Sequence, residues 1–294
     1  MNGPLRSRAA TSEDGSKRSR ERPEVPDPLP HPVVDNHCHL DIADGDWLSV
    51  EDALDAAASV NVTRIVQIGC DLPGARWAVS VAQSYAPLVA GVALHPNEAP
   101  RLALDGALDA ALAEIGELAR AHDSVRAVGE TGLDHFRTGP EGREAQEFSF
   151  RHHIRLAREL DKTLVIHDRD AHDDILRVLD SEPPPPRWVM HCFSGDDRFA
   201  RECLERGAYL SFAGPVTFKN AAPLRNALAI TPLDRVLVET DAPYLTPVPY
   251  RGRPNASYLI PHTVRAMADV RSEPLLDLCR AIDENTSRAF GGAW

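Results

Sequence analysis

At residues 33–40 the sequence reads VVDNHCHL, an apolar segment that runs into two histidines two positions apart. Alternate residues of a β-strand point to the same face of a sheet, so the side chains of His37 and His39 can converge on one metal ion. An amphipathic stretch at 50–59 and a second apolar segment, RIVQIG at 64–69, follow. This order predicts a strand, a helix and a strand, which is the repeating unit of a parallel sheet.

The same alternation continues along the chain. The later apolar segments are LVAGVAL (88–94), VRAVGE (125–130), TLVIHD (163–168), RWVMHC (187–192), AYLSFAG (208–214) and RVLVET (235–240). Helices are predicted between them near 75–85, 104–121, 145–160, 171–179, 199–206 and 222–228, with closing helices to 290. Strands that are apolar on both faces favour a single-domain (β/α)8 TIM barrel over 32–294. A doubly wound open sheet is the alternative, disfavoured because no GxGxxG motif follows the first strand.

Composition and charge narrow the functional classes. The chain has 294 residues, 43% of them hydrophobic, and a formal net charge of -12, which disfavours extended, nonspecific binding of duplex nucleic acid. No apolar run is long enough to cross a bilayer and no secretory signal opens the sequence, so we expect a cytoplasmic protein without a membrane partner. The five cysteines include no CxxC pair, which is typical of reduced thiols.

Residues 1–31 differ in composition from the rest of the chain. They are rich in Ser, Arg, Glu and Pro and poor in apolar residues. Such a segment buries too little apolar surface to offset its ordering entropy. The sequence therefore predicts a disordered N-terminal tail, and its mixed charges favour a solvated segment over a nucleic-acid contact.

Polar residues stand at the carboxyl ends of the predicted strands, where barrel enzymes place their reactive groups. Besides the two histidines of strand one, these residues are Glu130, His167, His191 and Asp241. Glutamate can bridge two cations through its two oxygens, and neutral imidazole is a good ligand for divalent metals. The pattern predicts two divalent ions, Mg, Mn or Zn, at this end of the barrel.

The positions of the strands around the barrel divide these predicted ligands into two sets. One ion would take His37, His39, Asp241 and Glu130, and the other Glu130, His167 and His191. Asp241 would also accept a proton from the attacking water, so we assign catalytic roles to Asp241 and Glu130. Glu239, two residues before Asp241, is expected to support the ligands rather than bind metal.

Four motifs together resemble the TatD family of metal-dependent deoxyribonucleases. They are HCHL at 37–40, GETGLD at 129–134, HCFSG at 191–195 and ETDAPYL at 239–245, and the similarity extends from about residue 33 to NTSRAF at 285–290. The resemblance implies a hydrolase of ester bonds, an exonuclease that removes nucleotides from DNA ends with Mg²⁺ or Mn²⁺. It places the six predicted ligands at the family's metal positions.

The resemblance also implies substrate contacts. His95, in GVALHPN, falls on the family's substrate-contacting histidine, and Arg251 and Asn255 fall in the loop YRGRPNAS at 250–257. This loop departs from the family pattern by a proline, so Arg253 is an alternative, and Asn97 stands where many relatives have a second histidine. Weaker expectations are local positive charge or base stacking from His135, Arg137, Lys219, Tyr244 and Phe193.

Two other functions stay open on the sequence. One is an amidohydrolase-type barrel enzyme acting on an amide, lactone or phosphoester small molecule. The other is a metal-free interaction module, which the complete ligand set disfavours. The DNA substrate is expected at 3' or 5' ends, single-stranded ends included, and the protein is expected to act as a monomer.

Overall fold

Eight parallel strands form the centre of the molecule. The computed structural model describes residues 3–11, 17–46 and 48–294. In sheet order, which is also chain order, the strands are β1 (Val33–Cys38), β2 (Val62–Gly69), β3 (Leu88–Val92), β4 (Val125–Asp134), β5 (Thr163–Arg169), β6 (Arg187–Met190), β7 (Tyr209–Phe212) and β8 (Val236–Val238). A parallel bridge joins Cys38 to Ala242 beyond β8, so the sheet is nearly closed and the predicted TIM barrel is confirmed.

Helices surround the strands. They are α1 (Val50–Ala58), α2 (Leu72–Ser84), α3 (Glu98–Leu104), α4 (Leu108–Arg120), α5 (Arg143–Glu159), α6 (His172–Ser181), α7 (Asp197–Glu205), α8 (Ala222–Ile230), α9 (Ile260–Arg271) and α10 (Leu275–Ala289). Short 3-10 turns lie at Pro140–Gly142, Gly214–Thr217, Leu233–Arg235 and Ser257–Leu259. The helix predicted over 104–121 corresponds to α4, which begins after Gly106 with its φ of +66°, and α3 is an additional helix that precedes it.

Two apolar layers hold the barrel together. Inside it, residues from successive strands such as Val66, Val165 and Leu237 pack together, and Phe290 joins this inner group. Outside it, the buried faces of the helices pack on the strands in one continuous core. Because all eight strands are parallel, their carboxyl ends lie at one end of the barrel, which we call the catalytic end. Among the described residues, no helix combines the length and apolarity needed to span a bilayer.

The described part of the N-terminal segment lies against the barrel. Arg6–Ser7 forms a two-residue strand parallel to Ile42–Ala43, and Leu29 is almost fully buried. The Tyr258 hydroxyl donates a hydrogen bond of 2.8 Å to the carbonyl of Pro23. These contacts differ from the disorder expected for residues 1–31, of which 1, 2 and 12–16 lie outside the described residues. Composition missed them because they depend on a few specific pairings rather than on bulk apolarity.

Candidate metal centre

The six predicted ligands meet at the catalytic end of the barrel. Strand β1 carries His37 with His39 just beyond it, β4 carries Glu130 and β5 carries His167, while His191 and Asp241 follow β6 and β8. Apart from His37, which is fully buried behind the others, they line one cavity of about 640 Å³. That volume is within the range of small-molecule and cofactor sites.

Backbone hydrogen bonds fix the ligands of β1 and β8 relative to each other. The amide of Asp241 donates to the carbonyl of His37 at 2.9 Å, and the amide of His39 donates to the carbonyl of Ala242 at 2.8 Å. As a result Asp241 Oδ1 lies 3.8 Å from His37 Nε2 and 3.4 Å from His39 Nε2. The three donor atoms are spaced closely enough to share one ion. We call these three residues the β1 half of the centre.

Glu130 presents its two oxygens to two different groups of histidines. Its Oε2 lies 3.4 Å from His37 Nε2 and 3.9 Å from His39 Nε2. Its Oε1 lies 2.7 Å from His167 Nδ1 and 3.1 Å from His191 Nε2. This arrangement fits a carboxylate that bridges two cations.

His95 joins the second group. Its Nε2 lies 3.4 Å from Glu130 Oε1, and its ring meets that of His167 edge to face at 4.6 Å between centroids. Donor atoms of His95, Glu130 and His167 are also close enough to share an ion. His95, which was expected to contact substrate, therefore lies directly beside the predicted metal ligands. We call His95, His167 and His191 the β5 half.

An unpartnered polar group supports metal binding. Neither ring nitrogen of His37 has a hydrogen-bond partner among the described residues, although the side chain is fully buried. The ring stacks on that of His191 with 3.8 Å between centroids. A buried imidazole normally finds a partner, and a cation is the partner that its position among carboxylate and imidazole donors fits.

Neighbouring groups orient the ligand side chains. His191 Nδ1 lies 3.0 Å from Glu239 Oε1, and Glu239 Oε2 accepts a hydrogen bond of 2.5 Å from the Ser211 hydroxyl. His39 Nδ1 donates to the carbonyl of Ile68 at 3.0 Å. Such contacts direct the opposite ring nitrogen, Nε2, towards the cavity. Glu239 thus has the supporting position that the sequence predicted.

The electrostatics of the cluster favour ionised carboxylates. Burial opposes ionisation of Glu130, but His191 and His95 together with hydrogen bonds from His167 and His191 hold its pKa well below the usual range. Asp241 is only partly exposed, and its hydrogen bond with His39 outweighs the effect of that burial and lowers its pKa. The pKa of His39 rises to about 9 because Asp241 and Glu130 outweigh the effect of burial. A proton on His39 and a cation would compete for the same oxygens, so metal binding is expected to release protons.

Two residues that lie beside the candidate ligands were not identified from the sequence. Asp134 Oδ2 lies 3.5 Å from His167 Nε2 and accepts a hydrogen bond of 3.0 Å from the side-chain amide of Asn97. Cys70 Sγ lies 3.4 Å from Glu130 Oε2. Both were accessible to the strand-end argument, because Asp134 shares a strand face with Glu130 and Cys70 directly follows β2.

Other predicted contacts lie elsewhere. Asn255, which was expected to bind substrate, does not line the cavity, and its buried side chain donates to the carbonyls of Thr240 and Tyr244 at 3.0 and 2.5 Å. The Arg251 guanidinium stacks 4.4 Å above the Phe218 ring and does not line the cavity.

The remaining expectations divide between the cavity and other parts of the fold. Tyr244 and Arg137 line the cavity, whereas His135 and exposed Lys219 do not. Phe193 is buried against other aromatic rings, so it is part of the core rather than a stacking surface. Arg253 donates to the carbonyls of Glu21 and Arg22, away from the predicted ligands.

Known proteins resemble this chain in both sequence and fold. A family model for TatD related DNase matches residues 34–291. An uncharacterized metal-dependent hydrolase TatD of Mycobacterium tuberculosis is 41% identical over 267 residues, 89% of this chain and 99% of the relative. The uncharacterized metal-dependent hydrolase YcfH of Escherichia coli K12 is 38% identical over 261 residues, 88% of this chain and 95% of that one. The crystal structure of YJJV, a TatD homolog from Escherichia coli K12, gives a TM-score of 0.81 at 28% identity, covering 89% and 98%.

Proposed function

Because this chain belongs to the TatD-related family of metal-dependent hydrolases, we propose that it is a deoxyribonuclease that removes nucleotides from DNA ends with two divalent ions. The observation that carries the proposal is the position of Glu130, whose two oxygens face separate groups of histidines. Two cations held about 4 Å apart suit phosphodiester hydrolysis, because together they stabilise both the attacking and the leaving oxygen.

Each half of the centre has its own ligands. The β1 half, with Glu130 Oε2, would hold one ion, and His95 and His167 of the β5 half, with Glu130 Oε1, would hold the other. His191 stands between them, because its donor atom lies close to those of both Glu130 and His37. Mg, Mn or Zn bound there would acidify water and offset the charge that develops on the phosphoryl oxygens. The lowered pKa values of Glu130 and Asp241 keep both carboxylates ionised at neutral pH, as metal binding requires.

Asp241 is the proposed proton acceptor. It follows β8 at the edge of the cavity, and its Oδ1 already lies beside both histidines of the β1 half. An ionised carboxylate in this position can hold the attacking water and take its proton as the phosphorus–oxygen bond forms. His39, whose imidazole is 3.4 Å away, fixes the orientation of that carboxylate.

Hydrogen-bond donors on the cavity wall would bind the substrate phosphate. His95 lines the cavity beside Glu130, Arg137 lies in the loop after β4, and Arg169 is the last residue of β5. The guanidinium of Arg169 also lies 3.9 Å from the ring centre of Phe136, whose side chain is 57% exposed. An exposed ring beside cationic groups suits an unpaired base, which favours single-stranded ends over duplex.

The amidohydrolase alternative receives less support from the site. Enzymes of that type often bridge their metals with a modified lysine, but none of the described residues that line the cavity is a lysine, and Glu130 occupies the bridging position. A metal-free interaction module is disfavoured because donor atoms from all six predicted ligands converge. The cytoplasmic location and the monomeric state stay predictions.

A nuclease assay tests the proposal. The wild-type protein, loaded in turn with Mg²⁺, Mn²⁺ or Zn²⁺, is incubated with single-stranded and duplex DNA labelled at the 3' or the 5' end. We expect stepwise shortening of the DNA from one end with at least one metal. The cleavage rate of Glu130→Ala should be lower by more than about 10³-fold, because this variant loses the bridge between both ions.

The controls separate nuclease activity from other hydrolysis. An Asp197→Asn variant, altered on the exposed surface of α7, should cleave like the wild type. A lactone and an amide substrate are assayed in parallel. If the metal-loaded protein hydrolysed those and left all four DNA substrates intact, the nuclease proposal would be wrong and the amidohydrolase alternative would replace it.

A further inference from the structure

A segment outside the family match forms part of the cavity wall. We call residues 3–11 the N-terminal strap; the family model begins only at residue 34. The strap crosses the catalytic end of the barrel and contacts the loops that follow β1, β2 and β8. Two of these loops adjoin the β1 half of the metal centre.

Backbone pairing holds the strap to the loop after β1. The amides of Leu5 and Arg8 donate to the carbonyls of Asp41 and Ala43, both at 2.8 Å. Arg8 then reaches the loop after β8, where its Nη1 donates to the carbonyl of Pro243 at 2.8 Å. Its guanidinium also lies 4.6 Å above the ring of Tyr244, which lines the cavity. The strap is therefore fixed at both ends of its crossing.

Arg6 extends from the strap into the cavity wall. Its Nη2 donates to Asp41 Oδ2 and its Nη1 to Asp71 Oδ2, each at 3.0 Å. Asp41 is fully buried, so Arg6 compensates a charge that would otherwise be costly. A guanidinium has five N–H donors, and these two contacts leave others available. Because Arg6 is 39% exposed and lines the cavity, those donors can reach a bound molecule.

The charge of the cavity makes such a donor important. Carboxylates line much of it, namely Asp71, Glu98, Glu130, Asp134, Asp168 and Asp241, whereas the arginines among its described lining residues are Arg6, Arg137 and Arg169. An anionic substrate needs positive groups near its phosphates to approach this surface. Arg137 follows β4 and Arg169 ends β5, so Arg6 supplies positive charge on the side of the cavity nearer β1 and β2.

We propose that the strap delivers Arg6 as a substrate-positioning residue, whose guanidinium pairs with a phosphate oxygen on the β1–β2 side of the cavity. The inference rests on the proposed phosphodiesterase function. It assigns to residues outside the family match a role in binding the anionic substrate. Arg6 does not contact the predicted metal ligands, so its loss should weaken substrate binding without removing metal.

Steady-state kinetics with bis(p-nitrophenyl) phosphate, a small anionic phosphodiester, test the proposal. Arg6→Gln should raise KM about tenfold and leave kcat within about twofold, since one partly exposed charge-assisted contact is lost. Arg6→Lys keeps the charge but not the planar, two-pronged guanidinium, so its KM should lie between those of the wild type and Arg6→Gln. Arg20→Gln removes the same charge from a side chain that is 75% exposed, and it should match the wild type.

A double variant separates substrate contact from loss of local charge or of folding. Arg6→Gln/Asp41→Asn removes the buried carboxylate with its partner, so the local net charge is unchanged and no buried charge is left unpaired. A KM still raised about tenfold supports contact with the substrate. A KM equal to that of the wild type would overturn the proposal and make Arg6 only the partner of Asp41.

Binding of inorganic phosphate distinguishes failure of this inference from failure of the proposed function. Isothermal titration calorimetry on the Mn²⁺-loaded proteins should give a Kd about tenfold higher for the double variant than for the wild type. If the wild type cleaves no phosphodiester but shows this difference, the nuclease proposal fails and Arg6 remains an anion-binding residue. Equal phosphate affinity in the two proteins contradicts the role of Arg6 whatever the activity.

Discussion

The two halves of the candidate metal centre differ in the burial of their histidines. In the β1 half, His37 is fully buried and the side chain of His39 is 4% exposed, with Asp241 at 15%. In the β5 half, His191 is also 4% exposed at the side chain, but His167 and His95 are 17% and 18% exposed. A ligand set shielded from water and fixed by backbone hydrogen bonds loses less freedom when it binds a cation. We therefore expect tighter binding in the β1 half and easier exchange in the β5 half.

The residues behind the two halves also differ. Behind the β1 half, buried Asp35 accepts hydrogen bonds from the Thr240 amide and hydroxyl at 2.9 and 2.6 Å and from the Ser257 hydroxyl at 2.7 Å. Behind the β5 half lies a buried imidazole, His153, which contacts Thr131 on β4. One half is thus supported by a carboxylate and the other by a neutral ring.

Replacing Asp241 should have the largest effect on rate. Asp241→Asn keeps the size of the side chain but lacks the basic oxygen, so we expect kcat to fall about 10³-fold while the fold is retained. The measurement is single-turnover cleavage of labelled DNA at saturating Mn²⁺, with circular dichroism as the check on folding. A folded, metal-loaded variant that cleaved DNA at the wild-type rate would show that Asp241 is not the proton acceptor.

Removing one ligand from each half tests the difference in affinity. His39→Ala should lower the affinity for the ion of the β1 half, the more tightly bound of the two, by more than about 100-fold. His167→Ala should remove the more weakly bound ion of the β5 half and leave the other in place. Metal content after dialysis against a range of free Zn²⁺ concentrations measures both. If each variant lost the same ion, or if the wild type bound a single ion at saturation, the division into halves would be wrong.

The sequence predicted which residues meet at the end of the barrel, but not how the two halves differ. His167 and His191 could be found because strand periodicity and the parallel topology place strand ends together. Burial and ring stacking depend on neighbours that are distant in sequence, such as His37 against His191. The two hydrogen bonds of Asn255 could not be predicted for a related reason, since they depend on how the loop after β8 folds. The contacts of Arg6 were missed because composition does not reveal a specific ion pair.

A smaller effect is expected from Glu239, which supports His191 between the two halves. Glu239→Gln keeps a carbonyl oxygen for the Ser211 hydroxyl but removes the negative charge beside His191 Nδ1. Activity should fall about 10-fold to 100-fold, with a matching loss of affinity for the weaker ion. Ser211→Ala leaves the carboxylate in place, so its loss of activity should be smaller than that of Glu239→Gln. An unchanged metal affinity in Glu239→Gln would show that His191 needs no such support.

The smallest effect concerns stability in acid and follows from His153 behind the β5 half. The amide of Leu94 donates to its Nε2 at 3.3 Å and its Nδ1 donates to the carbonyl of Ser149 at 2.7 Å, so the ring is neutral when folded. Burial, with His152 nearby, lowers the pKa of His153 to about 3, against about 6.5 when unfolded. The unfolded chain therefore binds the proton first, and the free energy of unfolding falls as the pH drops below about 6.5, by about 2 kcal/mol at pH 5.

The variant His153→Gln lacks this titration, so its free energy of unfolding in urea should change less between pH 7 and pH 5 than that of the wild type. Equal changes in both proteins would mean that His153 is already protonated in the folded state or titrates equally in both states.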